Sequence, residues 1–184
     1  IKAPPGRFAA FWSAFKENRG AVIGLVILCC IIFCAVFAGV LAPHDPLEQY
    51  RGFTRLPPIF MEGADSRFLL GTDALGRDIF SRTVVATRLD LGIAVSAVAA
   101  SFLIGMPLGL AAGFFGGWWD RIVTRLSDTI MAFPLFVLAM GIVAALGNTV
   151  GNIVLATAII NLPFYVRVAR AEAVVRRADG TLFP

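Results

Sequence analysis

The sequence predicts an all-α integral membrane protein whose chain crosses the bilayer several times. Three observations predict this class. Of the 184 residues 58% are apolar, and only 15% are charged, against about 25% in soluble domains. The mean hydropathy is +0.82. An uncharged helix of roughly 20 residues crosses a bilayer core, and three uncharged stretches reach that length. They are residues 20–43, 91–119 and 129–166.

The N-terminal part predicts a surface helix followed by a first transmembrane helix. Residues 1–19 are basic and carry an aromatic stripe at helical spacing, which favours a cytoplasmic amphipathic segment over the alternative of a disordered basic tail. Residues 20–43 predict the first span. Lys16 and Arg19 flank it, so the N terminus is expected in the cytoplasm. The stripe consists of Phe8, Phe11, Trp12 and Phe15.

Residues 44–90 predict a long extracytoplasmic loop. Its first half is rich in proline, which disfavours regular structure there. Its second half changes character, and the sequence predicts an amphipathic helix from Asp73 to Arg88 on the outer surface. His44, the single histidine of the chain, is expected to be a solvated loop residue.

Residues 91–184 predict three further spans, at about 91–117, 129–147 and 149–166. The uncharged run 129–166 would measure about 57 Å as one helix, nearly twice the bilayer core, so it must fold back. The turn-like cluster at 147–152 is the expected break. Between the second and third spans, residues 120–128 predict a short basic cytoplasmic loop. With four spans, both chain ends face the cytoplasm.

Small residues and prolines mark the spans. Glycines repeat every four residues in the second span, and this spacing predicts a face for close helix packing; the residues are Gly105, Gly109 and Gly113. Prolines kink transmembrane helices and free backbone carbonyls. We therefore treat one polar and two proline positions as gate or kink candidates, with plain packing geometry as the alternative; they are Pro134, Asn161 and Pro163.

Composition and motifs argue against several functions. The net charge is +4 and the pI about 9.4, but the basic residues flank apolar spans, which favours positive-inside membrane flanks over nucleic-acid binding. We expect no catalytic group and no cofactor, because the sequence contains no catalytic constellation and no P-loop. We expect no metal site, because the spacing of Cys29, Cys30 and Cys34 fits no metal motif. A membrane anchoring or assembly protein without a transport pathway stays an alternative, and a membrane-embedded enzyme is disfavoured.

Four separated motifs resemble one family. The segment Leu70–Arg82 reads LGTDALGRDIFSR, and it is similar to the "LGTDxLGRDxxSR" segment of bacterial oligopeptide/dipeptide ABC-importer permeases of the C-subunit type. The stretches 109–121, 125–134 and 165–171 resemble the "GxxaGyxgGwxDr", "RxxDxxxaFP" and "yaRlvRa" motifs of that family in the same order. The likeness extends from about residue 11 to the end of the chain.

The resemblance implies the permease subunit of a type I importer for di- and oligopeptides or related small solutes, in the bacterial cytoplasmic (inner) membrane. It implies a homologous permease, two cytoplasmic ABC ATPase subunits and an extracytoplasmic solute-binding protein as partners, with ATP hydrolysis on the ATPases. The family usually has six spans, so we expect this chain to be part of a longer protein. Residues 180–183 resemble the approach to the "EAA" coupling loop.

The resemblance also points to two sets of residues. The first set would shape the outer vestibule, or alternatively would stabilise a local fold; it comprises Gly71, Asp73, Gly76, Arg77 and Asp78. The second set lies next to the expected coupling loop, where positive-inside anchoring is the alternative; it comprises Arg167, Arg170 and Glu172.

Overall fold

The computed structural model describes residues 7–178, so the expected approach to the coupling loop at 180–183 lies outside the described residues, as does the side chain of Phe8. Within the described range the chain is helical and contains no strand, only an isolated bridge between Thr72 and Asp78. The predicted all-α class is therefore confirmed. The helices are α1 (Arg7–Glu17), α2 (Arg19–Val36), α3 (Ala38–Leu41), α4 (Ile79–Phe115), α5 (Gly117–Ala132), α6 (Leu135–Leu146) and α7 (Val150–Ala178).

Three of these helices are long and apolar enough to cross a membrane, namely α2, α4 and α7. A fourth span exists only if α5 and α6 count together, and these two helices meet at an angle of 95°. Large apolar side chains are exposed along the candidate spans. Such outward apolar surface is what a lipid solvent favours, and the chain is a multi-pass membrane protein.

The chain divides into two compact units, residues 1–91 and 92–184. In the first unit Asn18 begins α2, and its side-chain oxygen accepts a hydrogen bond of 3.1 Å from the N–H of Ala21. The other end of α2 is held by Arg88 on α4. The guanidinium of Arg88 donates to the carbonyl oxygens of Ala35 at 3.0 Å and Val36 at 3.1 Å. Carbonyls at a helix C terminus lack partners within the helix, so Arg88 fixes the return of the chain beside α2.

Helix α4 begins and ends later than the surface helix predicted from the sequence. The predicted separate helix from Asp73 to Arg88 is wrong, because residues 73–78 form a turn and the helix starts at Ile79. Asp78 supplies the reason. Its carboxylate accepts hydrogen bonds from the N–H groups of Phe80 and Ser81, as a residue before a helix start does. From there 37 residues continue without a break to Phe115.

The predicted basic loop at 120–128 is also wrong, since these residues belong to α5. The predicted span 129–147 is likewise not one helix. Phe133 is extended, with φ −86° and ψ 141°, and Pro134 precedes the first residue of α6. A residue before proline is driven out of the helical region, and proline itself has no N–H to donate. The bend between α5 and α6 follows from this pair.

The turn between α6 and α7 occupies residues 147–149 and is closed by one side chain. The amide nitrogen of Asn152 donates to the carbonyl oxygens of Leu146 at 2.8 Å and Gly147 at 2.9 Å. Both carbonyls lie at the end of α6, where helix geometry provides no partner.

In the second unit the glycine stripe of α4 lies against α7. A Cβ added to Gly109 would lie 2.3 Å from the carbonyl oxygen of Val166, and one added to Gly113 would lie 2.7 Å from the Cβ of Ala173. At Gly105 the nearest atom is a side-chain carbon of α7 at 2.9 Å. These distances are too short for any side chain, so the two helix backbones touch along the stripe.

Candidate functional site

Residues 71–78, which we call the outer motif after their expected position, are organised by Asp73. One carboxylate oxygen accepts hydrogen bonds from the N–H groups of Leu75 at 2.8 Å and Arg77 at 3.0 Å, and the other accepts from the Arg77 guanidinium at 2.8 Å. The N–H of Arg77 holds the pKa of Asp73 below its ordinary value, with smaller help from the N–H of Leu75 and the guanidinium of Arg77. This carboxylate is therefore ionised and held mainly by its own turn, with Arg82 of α4 at 3.8 Å as a further charged neighbour.

Two glycines bring this turn against the preceding loop. Gly71 and Gly76 both have φ of +75°, a conformation that glycine adopts without a steric penalty. A Cβ at Gly71 would lie 2.1 Å from the carbonyl oxygen of Leu56, and one at Gly76 would lie 2.5 Å from that of Tyr50. Both positions require glycine for two reasons, the backbone conformation and the lack of space.

Asp78 is completely buried and joins His44 to Ser81. One of its carboxylate oxygens accepts a hydrogen bond from the Ser81 hydroxyl at 2.5 Å and lies 3.0 Å from the ring nitrogen Nδ1 of His44. The backbone N–H of His44 in turn donates to the Ser81 hydroxyl oxygen. Burial alone would raise the pKa of Asp78, but the hydrogen bonds from Ser81 and His44 outweigh it and hold the pKa below its ordinary value.

The expectation of a solvated His44 is wrong. Only 19% of its side chain is exposed, and its ring packs against Phe68 and Tyr50 with centroid separations of 5.2 and 5.4 Å. Phe68 is fully buried and forms the centre of this small aromatic core. The guanidinium of Arg67 lies 4.2 Å from the ring centre of Phe53 on the outside of the core. No sequence spacing connected these residues, because they come from different turns of the loop.

Replacing Asp78 by asparagine should loosen residues 42–81, which we call the outer segment. The asparagine amide has only one oxygen, so its NH₂ group would face donors of Ser81 or leave a buried donor without an acceptor. This should lower the free energy of unfolding by about 2–3 kcal/mol. Hydrogen exchange of residues 42–50 and 71–81 should accelerate in Asp78→Asn. The matched control is Asp65→Asn, whose carboxylate pairs with the exposed Arg67, and it should change little. Equal exchange in both variants would contradict the assigned role.

The second candidate region lies on the last turns of α7. Arg170 donates to Asp120 of α5 through two nitrogen atoms, with Nη2 to Oδ2 at 2.8 Å. Arg167 reaches Asp128 of α5 at 2.9 Å. Glu172 instead pairs within α7, with Arg176 at 2.6 Å. Two of the three coupling-adjacent candidates thus bind α5 to α7, and the two aspartates that hold them were not predicted from the sequence.

The two ion pairs between α5 and α7 should differ in strength. The Asp120–Arg170 pair has two hydrogen bonds and 23% and 38% exposed side chains, whereas Asp128 and Arg167 are 51% and 53% exposed. Solvent weakens exposed pairs, while a two-bond geometry strengthens them. A double-mutant cycle with Asp120→Asn and Arg170→Gln, read from thermal unfolding, should give a coupling of about 1 kcal/mol. The cycle at Asp128 and Arg167 should give almost none, and equal values would refute the difference.

The gate and kink candidates lie in different surroundings. Pro134 stands at the bend between α5 and α6, exposed, and Pro163 is buried inside α7. The amide of Asn161 is exposed and donates to the carbonyl of Thr157 one turn earlier, at 2.9 Å. The structure does not bring these three residues together. In the described part of the chain no group of three or more His, Cys, Asp or Glu side chains could hold a metal ion.

Comparison with known families gives matches to two segments of the chain. Residues 6–58 match the N-terminal TM domain of oligopeptide transport permease C. Residues 105–180 match the binding-protein-dependent transport system inner membrane component. The chain belongs to the oligopeptide/dipeptide permease family of the C-subunit type. The resemblance drawn from the four motifs is thereby confirmed.

Several relatives of this permease carry names of transport systems. The chain is 47% identical over 167 residues to the di/tripeptide transport system permease protein DppC of Pseudomonas aeruginosa, covering 91% of this chain and 55% of that protein. It is 40% identical over 169 residues to the dipeptide transport system permease protein DppC of Haemophilus influenzae, covering 92% and 57%. It is 39% identical over 165 residues to the glutathione transport system permease protein GsiD of Pectobacterium atrosepticum, covering 90% and 53%.

The chain spans about half the length of the curated relatives it matches. The matched half contains both regions described above, the outer motif before α4 and the ion pairs between α5 and α7. The outer motif brings the carboxylate of Asp78 together with His44 and Ser81, but Asp78 and Ser81 are completely buried. The described contacts of both regions are those of a folded scaffold. The chemistry they offer is positioning of helices.

Proposed function

We propose that the chain is part of a transmembrane permease subunit of an ATP-driven importer for dipeptides, tripeptides or related small solutes such as glutathione. The observation that carries this proposal is the 47% identity over 91% of the chain to a permease named for di- and tripeptide transport, together with two permease family segments in order. The helical architecture is consistent with it, since several long apolar helices are what a membrane pathway is built from.

The proposal includes the partners and the energy source. A homologous permease would complete the pathway, two cytoplasmic ATPases would supply the free energy, and an extracytoplasmic binding protein would deliver the solute. A subunit that is driven by separate ATPases needs a rigid connection between its contact with the ATPases and its membrane spans. The ion pairs Arg167–Asp128 and Arg170–Asp120 join α7 to α5 just before the expected coupling loop, and we assign them to that connection, with Glu172 next to them. The turn around Asp73 and Asp78 would support the outer vestibule.

The test of the transport proposal is reconstitution of the complete subunit with its cognate permease, ATPases and binding protein in proteoliposomes. We expect ATP-dependent uptake of labelled dipeptide and stimulation of ATP hydrolysis by peptide-loaded binding protein. A complex with a catalytically inactive ATPase is the control. Failure of both readouts over dipeptides, tripeptides and glutathione, with the assembled complex intact, would favour a membrane anchoring or assembly protein.

We place α5 on the cytoplasmic side of the membrane together with the N terminus, and the outer segment on the opposite side. Single cysteines at Ser66→Cys and Arg125→Cys, in a chain whose native cysteines are replaced by serine, test it in intact cells. A membrane-impermeant maleimide should label Ser66→Cys and spare Arg125→Cys until the membrane is opened. Labelling of both from outside would overturn the orientation without affecting the family assignment.

A further inference from the structure

Helix α5 has the shape and charge pattern of a helix that lies on a membrane surface. Its 16 residues include Asp120, Arg121, Arg125 and Asp128, so it is too short and too charged to cross a bilayer core. It meets the uncharged α6 at 95°. When α6 runs along the membrane normal, α5 therefore runs in the plane of the membrane. The interaction surface of interest is the side of α5 that α7 does not cover.

One side of α5 packs on the protein and another side is bare. Val123 and Ser127 are buried toward the neighbouring helices. Large apolar side chains elsewhere around the helix are exposed in the described structure, by 65% for Trp118, 46% for Ile122 and 54% for Leu126. They recur every four residues and so form one stripe. An apolar stripe that begins with a tryptophan is typical of the zone between acyl chains and headgroups.

Two arginines border this stripe and are free of acidic partners in the described residues. Within the described part of the chain, the guanidinium of Arg121 has only a 3.4 Å contact to the carbonyl of Gly117 in its own helix. Among residues 7–178 no ion pair or hydrogen bond engages the side chain of Arg125, although Arg167 and Arg170 close by are both paired with aspartates of α5. Their long aliphatic stems allow the guanidinium groups to reach upward from the stripe toward the headgroups. An unpaired arginine edge beside an apolar stripe complements a surface that is apolar below and negative above.

We propose that α5 is a docking surface for anionic phospholipid, with Trp118, Ile122 and Leu126 among the upper acyl chains and with Arg121 and Arg125 on the headgroup phosphates. The charge decides for an anionic lipid over a zwitterionic one, because each arginine near an anionic leaflet adds an attraction that a neutral surface lacks. Bound lipid would hold α5, and through its ion pairs the end of α7, at a fixed height in the membrane.

The test places a benzophenone amino acid at Leu126 of the complete subunit, assembled with its partners in nanodiscs of equal phosphatidylglycerol and phosphatidylcholine. Irradiation identifies what covers the stripe. We expect lipid adducts in which phosphatidylglycerol exceeds phosphatidylcholine several-fold. The variant R121Q/R125Q should bring this ratio to about one, while R51Q/R55Q, which removes two exposed outer charges, should leave it unchanged.

Three results would overturn the proposal. The first is an adduct of Leu126 with another protein subunit, which would make the stripe a protein interface. The second is an equal yield of both lipids in the parent chain, which would leave an apolar contact without charge recognition. The third is an unchanged preference in R121Q/R125Q. The same probe at Val26 of α2, an exposed apolar position without a neighbouring arginine, should show no lipid preference in any variant.

Discussion

Gly109→Ala should destabilise the second unit, residues 92–184, by about 2–3 kcal/mol, in the upper part of the range for an overpacked core. The added methyl group would lie 2.3 Å from the carbonyl oxygen of Val166 and 2.8 Å from the Cβ of Ala169. A backbone oxygen cannot turn away as a side chain does, so α4 and α7 must separate. Thermal unfolding of the purified subunit in detergent, followed by intrinsic fluorescence or light scattering, measures the loss.

Gly92→Ala is the matched control on the same helix. A Cβ at Gly92 meets no atom within 4 Å, and alanine has the higher helix propensity of the two residues. We therefore expect its unfolding temperature to equal or slightly exceed that of the parent. Equal unfolding temperatures for Gly109→Ala and Gly92→Ala would show that the α4–α7 contact contributes little to stability.

Gly71→Ala should disrupt the outer segment by about 3 kcal/mol or more. Alanine at φ +75° costs about 1–2 kcal/mol on its own, and its Cβ would lie 2.1 Å from the oxygen of Leu56 and 2.9 Å from the backbone of Pro57. The contact cannot relax without moving the loop that carries both residues. Limited proteolysis and hydrogen exchange of residues 50–78 should report the opening.

Gly63→Ala separates the two causes. Gly63 has φ of +80° but open space around its missing side chain, so this variant carries the conformational cost alone. Its exchange should rise modestly and its proteolysis should stay close to that of the parent. If Gly63→Ala and Gly71→Ala opened the segment equally, the close approach of Gly71 to Leu56 would have no energetic role.

The membrane class was predictable because it depends on composition and on the length of uncharged runs. These are properties of the one-dimensional chain, and lipid imposes a minimum length that can be applied directly to the sequence. The family was predictable for a similar reason, since its motifs are contiguous in sequence. The position of the glycine stripe against α7 is visible only in three dimensions, although its four-residue spacing indicated a packing face.

The helix ends were harder to predict because competing signals overlap. Thr72 and Asp73 look like helix caps, yet the carboxylate of Asp73 is engaged by Leu75 and Arg77 in a tight turn. Asp78 is the residue that caps α4. In the same way, two arginines and two aspartates at 120–128 suggested a loop, although these residues belong to α5. The 3.6-residue periodicity places their charges along one side of that helix.

The paired residues of the candidate regions could not be foreseen from spacing. His44 and Asp78 are 34 positions apart, and Arg170 and Asp120 are 50 apart. Each pair is created by the path of a loop or by the packing of two helices. A sequence offers many equally plausible acid–base combinations at such separations, and the fold selects among them.

Helix α6 is too short to carry the chain through the hydrocarbon layer. Its 12 residues rise about 18 Å, whereas the layer is about 30 Å thick. When α6 stands upright from Pro134 at one surface, the turn at 147–149 therefore stops well below the opposite headgroups. At that depth lipid cannot satisfy a carbonyl group, and the amide of Asn152 does so for two of them. In that orientation a neighbouring helix or water has to occupy the space between the turn and the opposite headgroups.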